Sequence, residues 1–281
     1  NPNLDLKDRD GNTALDKARE FNYQSIVDFL LAYVVRQIDF RDTILGDLAV
    51  FATTFNAGEK LPEDTDIEQW LPLQQIEGHD LIVISMQEAA VKDNVAVSDG
   101  SADPMEFILM SHLRKLDFHL LEETLISNVY KGCMNSVRSI RLHIFSRESF
   151  RYRIQGVQVK AINTGFTFNK GAVVCRLNID DSTPLVFISS HLPAHEGNNF
   201  LKMRNAAVKT IMQEVKKIRG LELGLEASAH HIFWLGDLNY RIHPHRKMSS
   251  EACRNDVLDF IEKHDYNGLL DFDELTVEIG A

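Results

Sequence analysis

The sequence predicts an α/β sandwich, and three observations carry that prediction. The chain has 281 residues, 44% hydrophobic and 25% charged, so it can bury a sizeable core and is not disordered by composition. Short apolar runs rich in β-branched residues alternate with segments of helical period. Polar residues of chemical interest sit directly after several of those runs, where loops at strand ends carry chemistry. At about 150 residues per domain the length allows one large domain and a small one. The longest apolar runs, such as Ile82-Val83-Ile84, fall far below the ~20 residues that span a bilayer.

From the N-terminus, residues 8–35 read as a helical hairpin. Asp10-Gly11-Asn12 is a turn signal. Asn12 or Thr13 can cap the first helix, with Ala14, Leu15 and Ala18 on one face. Asn22 breaks it, and Ile26, Val27, Phe29, Leu30 and Leu31 form the buried stripe of a second helix. Residues 48–55 then form a β-rich run that ends at Asn56-Ala57-Gly58. Residues 80–85 are a buried strand. Residues 104–125 carry helical periodicity through Phe107, Leu113, Leu116 and Leu120. Strand-like segments follow at 140–145, 157–162, 172–179 and 185–189. Residues 199–219 form an amphipathic helix, with Val208, Ile211, Met212 and Val215 on one face. Its Lys and Arg fit the solvated face of a core-packed helix better than a membrane-contact surface. Residues 231–235 are another buried strand, and 251–263 are helical.

Net charge is −11. That argues against a general polyanion-binding surface, because sequence-independent DNA binding rests on many Lys/Arg–phosphate contacts. An anionic substrate remains open, since a small positive pocket or a metal ion reverses the local field. Cys133, Cys175 and Cys253 are too few and too scattered for a disulfide framework, which points to a reducing, cytoplasmic setting. The opening Asn1-Pro2-Asn3 reads like the middle of a longer protein.

Asn56, Glu88, His191, Asp237 and Asn239 each follow an apolar strand. Five such groups, aimed from rigid elements into one rim cleft, can assemble an oxygen-ligand divalent site that suits Mg²⁺. Phe233-Trp234-Leu235-Gly236-Asp237-Leu238-Asn239-Tyr240-Arg241 is the most informative stretch. Gly236 permits close backbone approach. Asp237 offers an acceptor for a water. In an extended chain Asn239 points to the same side and can donate to a phosphoryl oxygen. Arg241 continues that spacing with a phosphate-matching fork. His191 and His195 are four apart, but Pro193 lies between them and no Glu follows His191, so a zinc-protease reading fails.

Residues 234–242, "WLGDLNYRI", resemble the signature of the inositol polyphosphate 5-phosphatases, within the DNase I-like endonuclease/exonuclease/phosphatase superfamily. Thr54-Phe55-Asn56 resembles that family's "TWN", Ser85-Met86-Gln87-Glu88 its "LQE", and residues 165–173 its "GNKG" loop. Residues 190–195 resemble "SHLAAH", Met203-Arg204-Asn205 "KRN", and residues 271–275 the "YDQL" region. The resemblance implies a DNase I-like four-layer α/β/β/α sandwich over residues 48–281. It implies an Mg²⁺-dependent enzyme that removes the 5-phosphate from phosphoinositides or soluble inositol polyphosphates at a cytoplasmic membrane surface. Glu88 would bind Mg²⁺, with Asn56 beside or in its first shell. Asp237 would activate or orient water, Asn239 would stabilise the phosphoryl centre, and His191 would contact the scissile phosphate. Asn169 and Lys170 would line the phosphate pocket, while Arg204, Asn205, Tyr240 and Arg241 would help hold the inositol phosphates.

Asp10–Ala18 also resembles the "DGxTPLHxA" of ankyrin repeats, and Ile26–Leu31 their second helix. That implies a 1–36 ankyrin-like segment, a 37–47 linker and a possible protein partner; an ordinary hairpin is the alternative. The family's later "PTYK", "PAWCDRIL" and "SDHxPV" motifs do not occur in the sequence, so a piece of a longer chain or a remnant without turnover is expected. Two rival readings keep the fold: a catalytically dead binding protein, and a DNase-like nuclease, which the negative charge disfavours.

Overall fold

Leu81–Gln87 reads Leu-Ile-Val-Ile-Ser-Met-Gln, apolar on both faces, and such a run is stable only where both faces are covered. In the structure, a computed structural model, it is buried at every position. The structure describes residues 47–89 except 59 and 61, then 104–121, 128–131, 137–164, 170–243 and 250–280, together with Asn12, Lys17, Glu20 and Phe21. The expected 1–36 hairpin therefore lies outside the described residues apart from those four, as does the 37–47 linker apart from Asp47.

One sheet contains β1 (Val50–Asn56), β2 (Leu81–Gln87), β3 (Phe118–Leu120), β4 (Asn128–Lys131) and β5 (Val137–Arg147). Its order is β1-β2-β5-β3, with β4 also paired to β5. The other sheet is β6 (Ile154–Asn163), β7 (Gly171–Ile179), β8 (Thr183–His191) and β9 (His231–Asp237), in that order. β1 runs parallel to β2, and β8 parallel to β9; the other pairings are antiparallel. Each parallel step needs a crossover. α1 (Asp64–Trp70) and α2 (Leu73–Ile76) supply the first, and α5 (Asn198–Glu214) dominates the second.

Side-chain alternation builds the layers. Leu81 and Val83 of β2 face the second sheet and pack with Leu142, Val173, Cys175 and Phe187. Ile82, Ile84 and Met86 face the other way, onto Ile67 of α1 and Leu71 just after it, and onto Met105 and Leu109 of α3 (Pro104–Leu113). On the far side, Val174, Val186 and Ile188 meet Ala207 and Ile211 of α5. The result is the expected α/β/β/α order. Short α4 (Glu148–Arg151) and α6 (Leu225–Ser228) occupy connections, and α7 (Ser250–Glu262), α8 (Tyr266–Leu270) and α9 (Glu274–Gly280) close the described chain. Among the described residues no helix is long and apolar enough to cross a membrane. Cys175 and Cys253 are buried.

One expected element is corrected. The helix predicted over 104–125 stops at Leu113, passes through a 3₁₀ turn to Leu116, and gives way to β3. Asp117 adopts a left-handed φ of 64°, which ends the helix. Phe118 and Leu120 are then buried by strand alternation rather than helical spacing.

Candidate active site

The parallel pairing of β1 with β2, and of β8 with β9, brings four carboxyl-terminal strand ends to one edge of the sandwich. Open α/β sheets place ligands at such ends. Asn56 closes β1, Glu88 follows β2, His191 closes β8 and Asp237 closes β9. His191 pairs with Asp237 in register, and Asn56 with Gln87. Glu88 adopts φ 50°, a left-handed conformation that breaks the line of the strand.

The four side chains meet. Asn56 Nδ2 donates to Asp237 Oδ2 at 3.1 Å. His191 Nε2 lies 3.5 Å from Asp237 Oδ2 and 3.8 Å from Glu88 Oε1. Lys170 Nζ lies 2.5 Å from the same Nε2. His191 is only 4% exposed, so its ring is fixed at the floor, while Glu88 and Asp237 keep part of their surface open.

Gly236 makes this approach possible. A Cβ there would lie 1.9 Å from the Ser190 carbonyl oxygen, and its φ is +126°. Below the site runs a buried hydrogen-bonded ladder that crosses from sheet to sheet. Thr54 Oγ1 donates to Gln87 Oε1, and Gln87 Nε2 to Ser85 Oγ. Ser85 Oγ and Ser189 Oγ are 2.7 Å apart, and Ser189 Oγ donates to the Arg141 carbonyl. Sequence reading did not single out this ladder. Its signal was present, since Ser85 and Gln87 interrupt an apolar run on one face.

The loop after Asp237 departs from expectation. Asn239 is not extended: its φ is 57°, and its backbone N–H donates to Asp237 Oδ1 at 3.1 Å. Its Nδ2 donates to the Leu192 carbonyl at 3.0 Å, and its Oδ1 accepts from Arg241 Nη2 at 3.0 Å. Asn239 thus ties the Asp237 loop to the His191 loop, and one Nδ2 hydrogen remains for a ligand. Asn56 also departs from a simple ligand role. Its Oδ1 accepts from Gly58 N–H at 3.0 Å while its nitrogen faces Asp237.

The structure does not bring Arg204 to the cleft. It is fully buried, and its guanidinium bonds Glu274 and two backbone carbonyls. Asn205 and Tyr240 bond each other at 2.7 Å, and Asn205 Nδ2 reaches Glu278 at 2.8 Å. Burial pushes the Tyr240 phenol above its ordinary value, with Glu278 and Glu274 adding to the rise and Arg204 opposing it. Asn169 lies outside the described residues. Glu274 and Glu278 were not candidates, because no local periodicity marks an acid whose partners are far away in sequence.

The family model described as "Endonuclease/Exonuclease/phosphatase family 2" matches residues 53–279. The phosphatidylinositol 4,5-bisphosphate 5-phosphatase INP51 of Saccharomyces cerevisiae is 26% identical over 259 residues, covering 89% of this chain and 25% of that protein. The type IV inositol polyphosphate 5-phosphatase 3 of Arabidopsis thaliana is 33% identical over 173 residues, covering 59% of this chain and 25% of that protein. This chain therefore spans about a quarter of the length of these two curated relatives. Among solved structures, the inositol polyphosphate 5-phosphatase domain of SpSynaptojanin, in complex with inositol (1,4)-bisphosphate and calcium ion, superposes with a TM-score of 0.59 at 23% identity. It covers 90% of this chain and 68% of that one. Cimex nitrophorin superposes at 0.54 with 16% identity, covering 81% and 70%. These likenesses establish the DNase I-like sandwich, and the second shows that the fold alone does not fix chemistry.

Proposed function

The chain belongs to the endonuclease/exonuclease/phosphatase family 2, and from that premise we propose that it is the phosphomonoester-hydrolysing part of an inositol polyphosphate 5-phosphatase. One observation carries the reading: Glu88, Asp237 and Lys170 all converge on one nitrogen of His191, within 3.8 Å. The relatives named above act, by name, on inositol polyphosphates and phosphoinositides. The substrate is accordingly a 5-phosphorylated inositide, met at a cytoplasmic membrane surface when it is a lipid.

The donor set fits a divalent cation of the Mg²⁺ type. Among the described residues no cluster of three or more His, Cys, Asp or Glu side chains is built to hold a metal. Mg²⁺ does not need one, since it is held by one or two carboxylates together with waters and substrate phosphates. Glu88 would hold the cation, and Asn56 orients Asp237 through its amide nitrogen. When bound, the cation neutralises charge on the phosphoryl oxygens and orients the phosphate.

The chain's own residues do the rest. Asp237, gripped by Asn56 and by the Asn239 N–H, orients the attacking water and accepts its proton. Lys170 and His191 contact the transferring phosphoryl group, where negative charge needs donors. The remaining Nδ2 hydrogen of Asn239 does the same. Arg241 approaches through Asn239 and presents its fork to a neighbouring phosphate.

The test is orthophosphate release from 5-phosphorylated inositol phosphates and phosphoinositides with Mg²⁺, in the full-length protein. Release should fall by at least about a hundredfold in Asp237→Ala and Glu88→Ala. Release by the unaltered protein no greater than that of Asp237→Ala overturns the reading.

A further inference from the structure

Two loops shape the proposed site. One follows His191 and the other follows Asp237. Outside the reacting cluster, a single carboxylate grips both. Glu274 opens α9 and is 7% exposed. Its Oε2 accepts from Arg204 Nη2 at 2.6 Å and from the Arg241 backbone N–H at 3.0 Å. The Glu274 backbone N–H in turn donates to the Arg241 carbonyl at 3.0 Å. Both backbone groups of Arg241 are therefore held by this one residue.

Arg204 extends the grip to the other loop. It lies on α5 and is wholly buried. Its Nη1 donates to the Pro193 and His195 carbonyls, at 3.2 and 2.9 Å. Its guanidinium also lies 5.4 Å from the centre of the Tyr240 ring, within cation–π range. A buried guanidinium without its carboxylate is strongly unfavourable. Glu274 thus holds the 193–195 backbone through Arg204 and the 241 backbone directly.

We propose that Glu274 is a positioning residue for the phosphatase reaction, fixing Asn239 and Arg241 against His191 by bonding one loop directly and the other through Arg204. The proposal rests on the phosphatase reading for its kinetic part and on the loop geometry alone for the rest. A ~1 Å misplacement of phosphate-binding groups costs about a hundredfold in rate, which is the scale on which such a clamp matters.

The experiment compares Glu274→Ala and Glu274→Gln in the full chain, because a glutamine oxygen can still accept both hydrogen bonds. Amide hydrogen exchange is followed over segments 192–195 and 238–243. Hydrolysis of a soluble 5-phosphorylated inositol polyphosphate is measured alongside. Glu274→Ala should speed exchange in both segments by about tenfold or more. It should lower kcat/KM by about ten- to a hundredfold, with a raised KM carrying the larger share. Glu274→Gln keeps the acceptor but leaves buried Arg204 without its counter-charge, so it should recover part of both. Unchanged exchange in Glu274→Ala overturns the proposal. So does an equal loss in both variants that tracks only a common fall in thermal midpoint. If Glu274→Ala does not fold, Glu274→Asp serves: it keeps the charge but is one methylene short of spanning both donors, and the same exchange signature is expected. An unaltered chain no more active than Asp237→Ala sinks the phosphatase reading, while the exchange comparison still decides whether Glu274 holds the loops.

Discussion

Replacing Gly236 by alanine is the sharpest perturbation that the site offers. The added Cβ would sit 1.9 Å from the Ser190 carbonyl oxygen and 2.7 Å from the Ser190 nitrogen. Restoring an ordinary contact of 3.4 Å requires β9 to withdraw from β8 by about 1.5 Å. The obstacle is backbone in a paired strand, so no side-chain rotation relieves it. Alanine would also have to adopt φ +126°, which costs about 1–3 kcal/mol, and overpacking adds about 1–3 kcal/mol more. The next residue is Asp237, paired with His191 and 3.5 Å from its ring. A shift of that size moves the proposed base out of reach, and about a hundredfold or more of activity should go with it. Urea denaturation and phosphate release, measured on the same preparation, give both numbers. A variant within about 0.5 kcal/mol of the parent, and within threefold in rate, shows that the close approach is not what places Asp237.

Ser85→Ala should cost about 1–3 kcal/mol, because Gln87 Nε2 loses its buried acceptor; a change in the urea midpoint too small to measure contradicts that. Arg153 grips Asp180 through three short contacts and holds its carboxyl below 3.8. The folded value is lower than the unfolded one, so the stabilisation is present above pH 3.8 and is lost as pH falls through the lowered value. The pair is partly exposed, so Arg153→Gln should cost under about 1 kcal/mol at pH 7. That difference should narrow as pH falls below 3.8, and a gap that acid leaves unchanged argues against it. Tyr240 should stay un-ionised beyond 10.0, and its stabilisation is present below that pH and lost as pH rises through the folded value. The tyrosinate absorbance difference between the parent and Tyr240→Phe reads this directly, and a midpoint under 10 is the contrary result.

Much of the frame was legible because it is local. Period-2 and period-3.6 patterns located β1, β2, β5–β9, α5 and α7, and the strand-end position of Asn56, Glu88, His191 and Asp237 marked them as a set. What escaped depends on tertiary context. Leu120 fits a helical stripe as well as a strand, and only the left-handed turn at Asp117 decides between them. Spacing placed Asn239 on an extended chain, whereas its hydrogen bond to Asp237 bends it into a turn. Arg204 has the chemistry of a phosphate ligand, and only its burial against Glu274 shows that its charge is already matched. The short helices α1, α2, α8 and α9 are too brief for periodicity to reveal.

The contact between Asn56 and Asp237 joins residues 181 positions apart. During synthesis at about 5–20 residues per second, the first partner leaves the ribosome roughly ten to forty seconds before the second. Nothing at the amino-terminal half can assemble the centre early, because loop closure over that span must await strand β9 and its docking. The proposed reaction's centre thus closes only once β9 has docked, and its onset would serve as a clock for the moment the two sheets lock together.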